Sequence, residues 1–224
     1  MHCGHGESRE GSSRVIAERL LEEFGPCDDK RVLDFGSGDG YLSRYLLSEV
    51  GQVVGTDSSQ EMVDKYNANA DNQGLSREEM WATVCSDVGE TLEDIGLFDY
   101  VVSSIVFHHV ENIEATTRVL VNKMKEGGWL AVVDLEKVDT PANQEVQLSK
   151  PSVAHQHGIK PDELVTAFKN AGLKHVQYVK LFPIKLWWRD NVDDTEITRS
   201  RSDGQLLYMV KRNLMLVKGQ KQSV

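Results

Sequence analysis

Between Arg31 and Leu135 the chain alternates short, continuous apolar runs with segments whose apolar positions recur every three to four residues. Arg31–Asp34, Gln52–Thr56, Trp81–Cys85, Phe98–Ile105 and Trp129–Leu135 read as strands, the fourth rich in β-branched residues. Tyr41–Leu47, Gln60–Asn69 and Ile113–Met124 read as helices. The last of these places Ile113, Thr117, Leu120, Val121 and Met124 on one side and is closed by Gly127-Gly128. Upstream, Ile16, Leu20, Leu21 and Phe24 share one face of a helix over Ser13–Phe24, with Ser12 or Ser13 as its cap. Strands alternating with helices require crossover connections, so the pattern predicts an α/β fold with a parallel sheet covered on both faces.

Past Leu135 the rhythm changes. Glu136–Lys160 has no clear period over about 25 residues, more than the roughly 12–15 that compact domains usually accommodate. Pro161–Ala171 reads as a helix with Pro161 in its first turn and Gly172 closing it. His175–Phe182 reads as a strand, Pro183–Gly204 as a second irregular segment with Trp187, Trp188 and a charge run, and Leu206–Lys211 as a final strand. Such long loops are either lids over a site or surface insertions. There is no internal repeat, so residues 13–212 are expected to form one domain between an N-terminal tail (1–12) and a C-terminal tail (213–224).

Composition narrows the partners. The chain has 224 residues, 40% hydrophobic and 27% charged, with a formal net charge of −10. Its basic residues are scattered, concentrating only at Lys211-Arg212 and then Lys218 and Lys221, whereas a nucleic-acid enzyme usually carries a basic face. Small molecules or proteins are the expected partners, not DNA or RNA. No apolar run approaches the roughly 20 residues that span a bilayer, and the N-terminus lacks a signal-peptide core. Cys3, Cys27 and Cys85 are few and odd in number, which suits a reducing compartment, so the cytoplasm is the expected location. His2, Cys3 and His5 lack a second ligand pair with zinc spacing, and no metal is expected. Nothing in the sequence indicates an oligomeric state.

The chemistry concentrates in Val32-Leu33-Asp34-Phe35-Gly36-Ser37-Gly38-Asp39-Gly40, a strand end and glycine-rich turn leading into a helix. Glycines let a backbone turn sharply and approach a ligand closely. A pyrophosphate loop relies on bare N–H groups to attract anions, and Asp34 and Asp39 work against that. They suit a ligand with positive charge and no phosphate, as S-adenosylmethionine (SAM) is. Asp57 closes a strand about twenty residues further on, where a carboxylate can accept hydrogen bonds from both ribose hydroxyls. A nicotinamide-dinucleotide fingerprint also has these two elements, but its third glycine would fall at position 41, which is Tyr41. Asp34 has a second reading, as a cap of the following turn. Met62 can pack on adenine or belong to the core. His108 and His109 follow the fourth strand, where one can orient an acceptor or take its proton. The alternative is that one packs in the core and the other bonds the backbone.

These motifs together resemble the class I SAM-dependent methyltransferases, in particular the small soluble group with a methyltransferase type 11-like domain. The likeness spans about Ser13 to Lys211. It rests on the glycine loop, then Val53-Val54-Gly55-Thr56-Asp57-Ser58-Ser59-Gln60-Glu61-Met62, Cys85-Ser86-Asp87-Val88, Phe98 through Val110, and Lys125-Glu126-Gly127-Gly128-Trp129-Leu130. The resemblance implies a Rossmann-like, seven-stranded, mostly parallel sheet with helices on both faces and an antiparallel last strand. It implies SAM as cofactor, held by Asp34, Gly36, Gly38, Asp57, Ser58, Met62, Asp87, Val88 and Ser104. Asp87 would take the adenine amino group and the Val88 backbone the ring. His108 and His109 become the candidate catalytic pair. His155-Gln156-His157 resembles the segment that introduces the sixth-strand helix, so His155, His157 and Trp187 are candidate substrate contacts. No Asn-Pro-Pro-Tyr type tetrapeptide follows the fourth strand, which disfavours amide- or base-directed N-methylation. The expected activity is methyl transfer to a small-molecule O, N, C or S acceptor. A protein acceptor, or a non-catalytic partner subunit with this fold, are the alternatives.

Overall fold

The continuous apolar runs form the parallel strands at the centre of one sheet. A computed structural model describes residues 9–25, 27–85, 92, 95–137, 154–155, 157–188, 198–200 and 206–223. The element order is α1 (Arg9–Phe24), β1 (Arg31–Phe35), α2 (Tyr41–Leu46), β2 (Gln52–Asp57), α3 (Gln60–Asn72), β3 (Met80–Val84), β4 (Phe98–Ser104), α4 (Ile113–Asn122), β5 (Met124–Leu135), α5 (Pro161–Asn170), β6 (Lys174–Trp188), β7 (Thr198–Ser200) and β8 (Leu206–Gln220). A single 3-10 turn, Phe107–His109, lies between β4 and α4. Seven strands run in the order β3-β2-β1-β4-β5-β8-β6, with β7 paired onto β8. β1 to β5 pair in parallel, and β8 is antiparallel to both β5 and β6. This is the Rossmann-like mixed sheet that the resemblance implies.

Alternate residues of each central strand face opposite sides. Leu33, Val54, Val101, Leu130 and Val132 pack with residues of α4 and α5, whereas Val32, Val53, Val102, Ala131 and Val133 pack with α1 and α2. Burial on both faces is why these strands read as unbroken apolar runs. No helix among the described residues is long and apolar enough to cross a membrane.

Both expected domain limits move outward. The helix α1 begins at Arg9, ahead of the first periodic apolar residue, and its outer side carries the ion pairs Arg14–Glu18 and Arg19–Glu22. Residues 213–224 are not a tail: β8 continues to Gln220 between β5 and β6, and Leu214, Met215, Leu216 and Val217 have no exposed surface. A protein ending at Arg212 is therefore expected not to fold. Four fully buried apolar side chains, each contributing roughly 1.5–3 kcal/mol, match the whole stability of an ordinary domain. Circular dichroism checks this, and a cooperative melt of the truncated chain would contradict the assignment of β8 to the sheet interior.

The segment 183–188, expected to be irregular, is strand. Pro183–Trp188 pairs with Tyr208–Asn213, past Leu214, where β8 loses β5 as a neighbour. The two strands continue as a ribbon beyond the carboxyl edge of the parallel strands. Ile184, Leu186 and Val210 of the ribbon pack in one cluster with Ile16, Ala17 and Leu20 of α1.

Candidate active site

The carboxyl ends of β1, β2, β4 and β5 meet along one edge, the place where open α/β sheets bind ligands. At β1 the chain passes into the glycine loop, and the loop's own donors are turned inward. Gly36 and Ser37 N–H both donate to the Thr56 carbonyl (2.8 and 2.9 Å), Gly40 N–H to Ser37 (3.1 Å), and Gly38 N–H to Asp57 Oδ2 (2.9 Å). Four loop N–H groups are thus committed to protein acceptors, which leaves a pyrophosphate without the donors it would need. Gly36 and Gly38 have φ of +76° and +56°, in the left-handed region that favours glycine. A side chain at Gly38 would enter open space, so the outer face of the loop is bare backbone.

Asp57 is the joint of this edge. Its Oδ1 accepts from Ser59 N–H (2.9 Å) while Oδ2 holds Gly38, so one carboxylate ties the loop to the start of α3. A carboxylate offers about four acceptor sites, and two remain for a pair of ribose hydroxyls. The Ser59 side chain caps α3, accepting from Met62 N–H, while Ser58 is exposed and Met62 half-buried. Asp87 and Val88 lie outside the described residues.

Asp34 points into the protein. It is 1% exposed and accepts a 2.6 Å hydrogen bond from the Ser43 hydroxyl on α2. Burial pushes its carboxyl up to about 7; the Ser43 bond pulls it down and the Asp57 charge adds to the rise. It lies behind the loop with the Ser43 hydroxyl as its partner, and α2 has no side-chain cap bond. The residues fit SAM: bare glycine backbone, a carboxylate with free acceptor sites, and no lysine or arginine from Val32 to Ser43.

The raised pKa carries a sign. The folded protein holds the Asp34 proton to higher pH than the unfolded chain, so this group's contribution falls as pH rises from about 4 to about 7 and then levels off. About three pKa units correspond to something on the order of 4 kcal/mol. Asp34→Asn is expected to melt higher than the wild type at pH 8 and to lose that advantage near pH 4. Parallel melting-temperature profiles for the two proteins would contradict the buried placement.

The edge of β4 and β5 holds the histidines. Ser104 ends β4 half-buried, and Ile105 follows with φ +57°, held by its N–H on the Val133 carbonyl (2.8 Å). A β-branched residue is strained there, and such strain persists only where the surroundings fix it. Val106 then packs against Gly36. His108 is 2% exposed, its Nδ1 2.8 Å from Asp134 Oδ1 at the end of β5. His109 is exposed, with its ring centroid 4.0 Å from that of His108. The His108 carbonyl accepts from His155 N–H (2.8 Å), and the segment continues into a parallel bridge of Ile159 with Glu136. His155 Nε2 is buried and has no hydrogen-bond partner among the described residues; His157 is half-buried.

The structure therefore brings His108, His109 and His155 together, and Gly36, Gly38 and Asp57 together. Trp187 sits apart on the ribbon, in register with Met209. Sequence reasoning passed over Asp134, although a single acid inside the apolar run Trp129–Leu135 was a visible signal, since buried acids are rare unless paired. No three His, Cys, Asp or Glu among the described residues are grouped to hold a metal ion.

Comparison with known proteins identifies the family. Residues 8–178 match the model of a family described as Methyltransferase domain. An uncharacterized methyltransferase of Schizosaccharomyces pombe is 31% identical over 210 residues, covering 84% of this chain and 71% of that protein. The ubiquinone biosynthesis O-methyltransferase of Rhizobium etli is 25% identical, covering 78% of this chain and 75% of the relative. Among solved structures, a putative methyltransferase from Bacillus halodurans superposes with a TM-score of 0.70 at 17% identity, covering 93% of this chain and all (100%) of that one. Haemonchus contortus phosphoethanolamine N-methyltransferase 2, solved in complex with S-adenosyl-L-methionine, gives 0.68 at 17% identity, covering 93% of this chain and 53% of that one.

Proposed function

The chain belongs to the class I SAM-dependent methyltransferases, and on that premise we propose that it methylates a small-molecule acceptor seated where β4 and β5 end. The observation that carries the acceptor class is the buried Nε2 of His155, unpartnered among the described residues and tethered through its backbone to His108. Leaving such an atom dry costs roughly 1–3 kcal/mol unless a bound group meets it. A single buried polar atom of this kind is matched by one small polar group. The printed name of the Rhizobium etli relative, an O-methyltransferase of ubiquinone biosynthesis, supports the same reading.

SAM supplies an electrophilic methyl on a sulfonium whose thioether leaves with the bonding electrons. The protein's task is then alignment, and proton removal where the acceptor atom carries one. Asp57 receives the ribose hydroxyls, and the bare glycine backbone accommodates the methionyl part, with the buried Asp34 carboxyl behind it. His108 and His109 stand at the acceptor side, His155 contacts the acceptor, and His157 belongs to the surrounding cover.

Isotope-labelled SAM incubated with the protein and a fractionated cell extract tests the reading. Label in the small-molecule fraction is the expected outcome. Label confined to protein would overturn the acceptor class, and label in neither fraction would favour a non-catalytic partner subunit.

A further inference from the structure

We propose that Asp134 is a positioning residue: it fixes the His108 imidazole in the Nδ1–H form, leaving Nε2 as the atom that accepts the acceptor's proton. This rests on the methyl-transfer reading above. Asp134 has no exposed surface, and two backbone N–H groups and one ring nitrogen converge on it. Oδ2 accepts from His108 N–H (3.1 Å), and Oδ1 accepts from Leu135 N–H (2.7 Å) while facing His108 Nδ1 at 2.8 Å. A carboxylate that already receives two backbone donors acts as an acceptor, so the ring nitrogen facing it must be the donor. The other nitrogen of a neutral imidazole is then the bare one.

The placement gives the pair its use. His108 follows β4 and Asp134 ends β5, neighbouring strands whose carboxyl ends form the ligand edge. The backbone is held as firmly as the ring, since Asp134 takes the His108 N–H and the His108 carbonyl takes the His155 N–H. One carboxylate thereby sets the ring's tautomer, its orientation and the attachment of the His155 segment.

In the step this serves, the acceptor lone pair forms a bond to the methyl carbon as the carbon–sulfur bond breaks with its electrons on sulfur. The acceptor's proton passes to His108 Nε2. The imidazolium so formed keeps its Nδ1–H on Asp134. The inference implies an acceptor whose attacking atom carries a proton to lose, such as a hydroxyl or an amine.

Long-range proton–nitrogen NMR of histidine-labelled wild-type protein reads the tautomer without any variant or acceptor. His108 in its neutral form is expected to show a protonated Nδ1 and a bare Nε2; an Nε2–H form overturns the inference. Asp134→Asn keeps an acceptor oxygen without the charge, and is expected to retain the tautomer while label transfer from saturating SAM into the small-molecule fraction of the cell extract falls roughly 10²-fold, on the scale of a general base. Its SAM affinity is expected to stay within about twofold of wild type, as no contact to the ribose edge is touched. Unchanged turnover in a folded Asp134→Asn overturns the inference, as does a loss confined to SAM affinity, which would mark a purely structural role. A wild-type protein with the Nδ1–H tautomer that transfers no label overturns the methyl-transfer reading; one that transfers label with an Nε2–H His108 overturns this inference alone.

Discussion

Gly36→Ala is expected to abolish measurable SAM binding and lower the melting temperature by roughly 5–15 °C. Two independent costs meet at this position. The residue has φ +76°, where a side chain is disfavoured by about 1–2 kcal/mol. The new methyl would also overlap both γ-carbons of Val106, and overpacking of this kind costs typically 1–3 kcal/mol. For a chain of this size each kcal/mol moves the melting temperature by about 2–4 °C. Val106 cannot retreat freely, because the strained Ile105 before it and the Phe107–His109 turn after it are both fixed. The collision therefore propagates from the cofactor loop into the histidine edge. Adding Val106→Ala is expected to recover part of the melting temperature by restoring space, but not the part due to φ. A single substitution that binds SAM normally would show that the loop does not pack on the β4 edge.

Asp57→Ala is expected to weaken SAM binding roughly 10–100-fold, about 1.4–2.8 kcal/mol. Hydrogen bonds to a charged group contribute about 1.5–3 kcal/mol each. The substitution removes the acceptor of Gly38 N–H and Ser59 N–H together with that of the ribose. Part of the loss is spent on a loosened loop, which is why the fall in affinity is not the sum of all the bonds. Asp57→Asn should lie between the two proteins, since its oxygen can serve one N–H while its amide opposes the other. Titration calorimetry measures this directly, and an unchanged affinity would refute the role of Asp57 as the joint of the cofactor edge.

The strands legible in the sequence are those buried on both faces, and the failures have tertiary causes. β8 looked finished at Lys211 because Arg212, Asn213 and Lys218 interrupt its apolar residues. In the fold Lys218 is only 8% exposed, its ammonium 2.6 Å from Glu23 on α1 and 5.0 Å from the Trp129 ring centroid. A partner almost two hundred residues away makes that lysine an interior residue, and no local pattern records it. Pro183 likewise suggested the end of a strand. It is accommodated because β6 is the outermost strand and its register with β8 shifts between Lys180 and Pro183, where a missing N–H is tolerated.

The cofactor half of the site was more legible than the acceptor half for a similar reason. The glycine loop and Asp57 are local devices at the end of adjacent strands, and residue type with spacing identifies them. His108 was expected to face the reaction site, yet its buried pairing with Asp134 depends on the alignment of β4 with β5, 26 residues apart in sequence. His155 reaches that edge from another segment altogether, by a backbone bond that sequence cannot display.

As proposed, the inward-turned glycine loop and Asp57 form a SAM site and not a dinucleotide site. Calorimetric titration of the wild-type protein with SAM and, separately, with NAD tests it most directly. One saturable SAM site per chain, lost in Gly36→Ala and weakened in Asp57→Ala, with no comparable heat from NAD, is the predicted result. Tighter binding of NAD, or no binding of SAM, would contradict it.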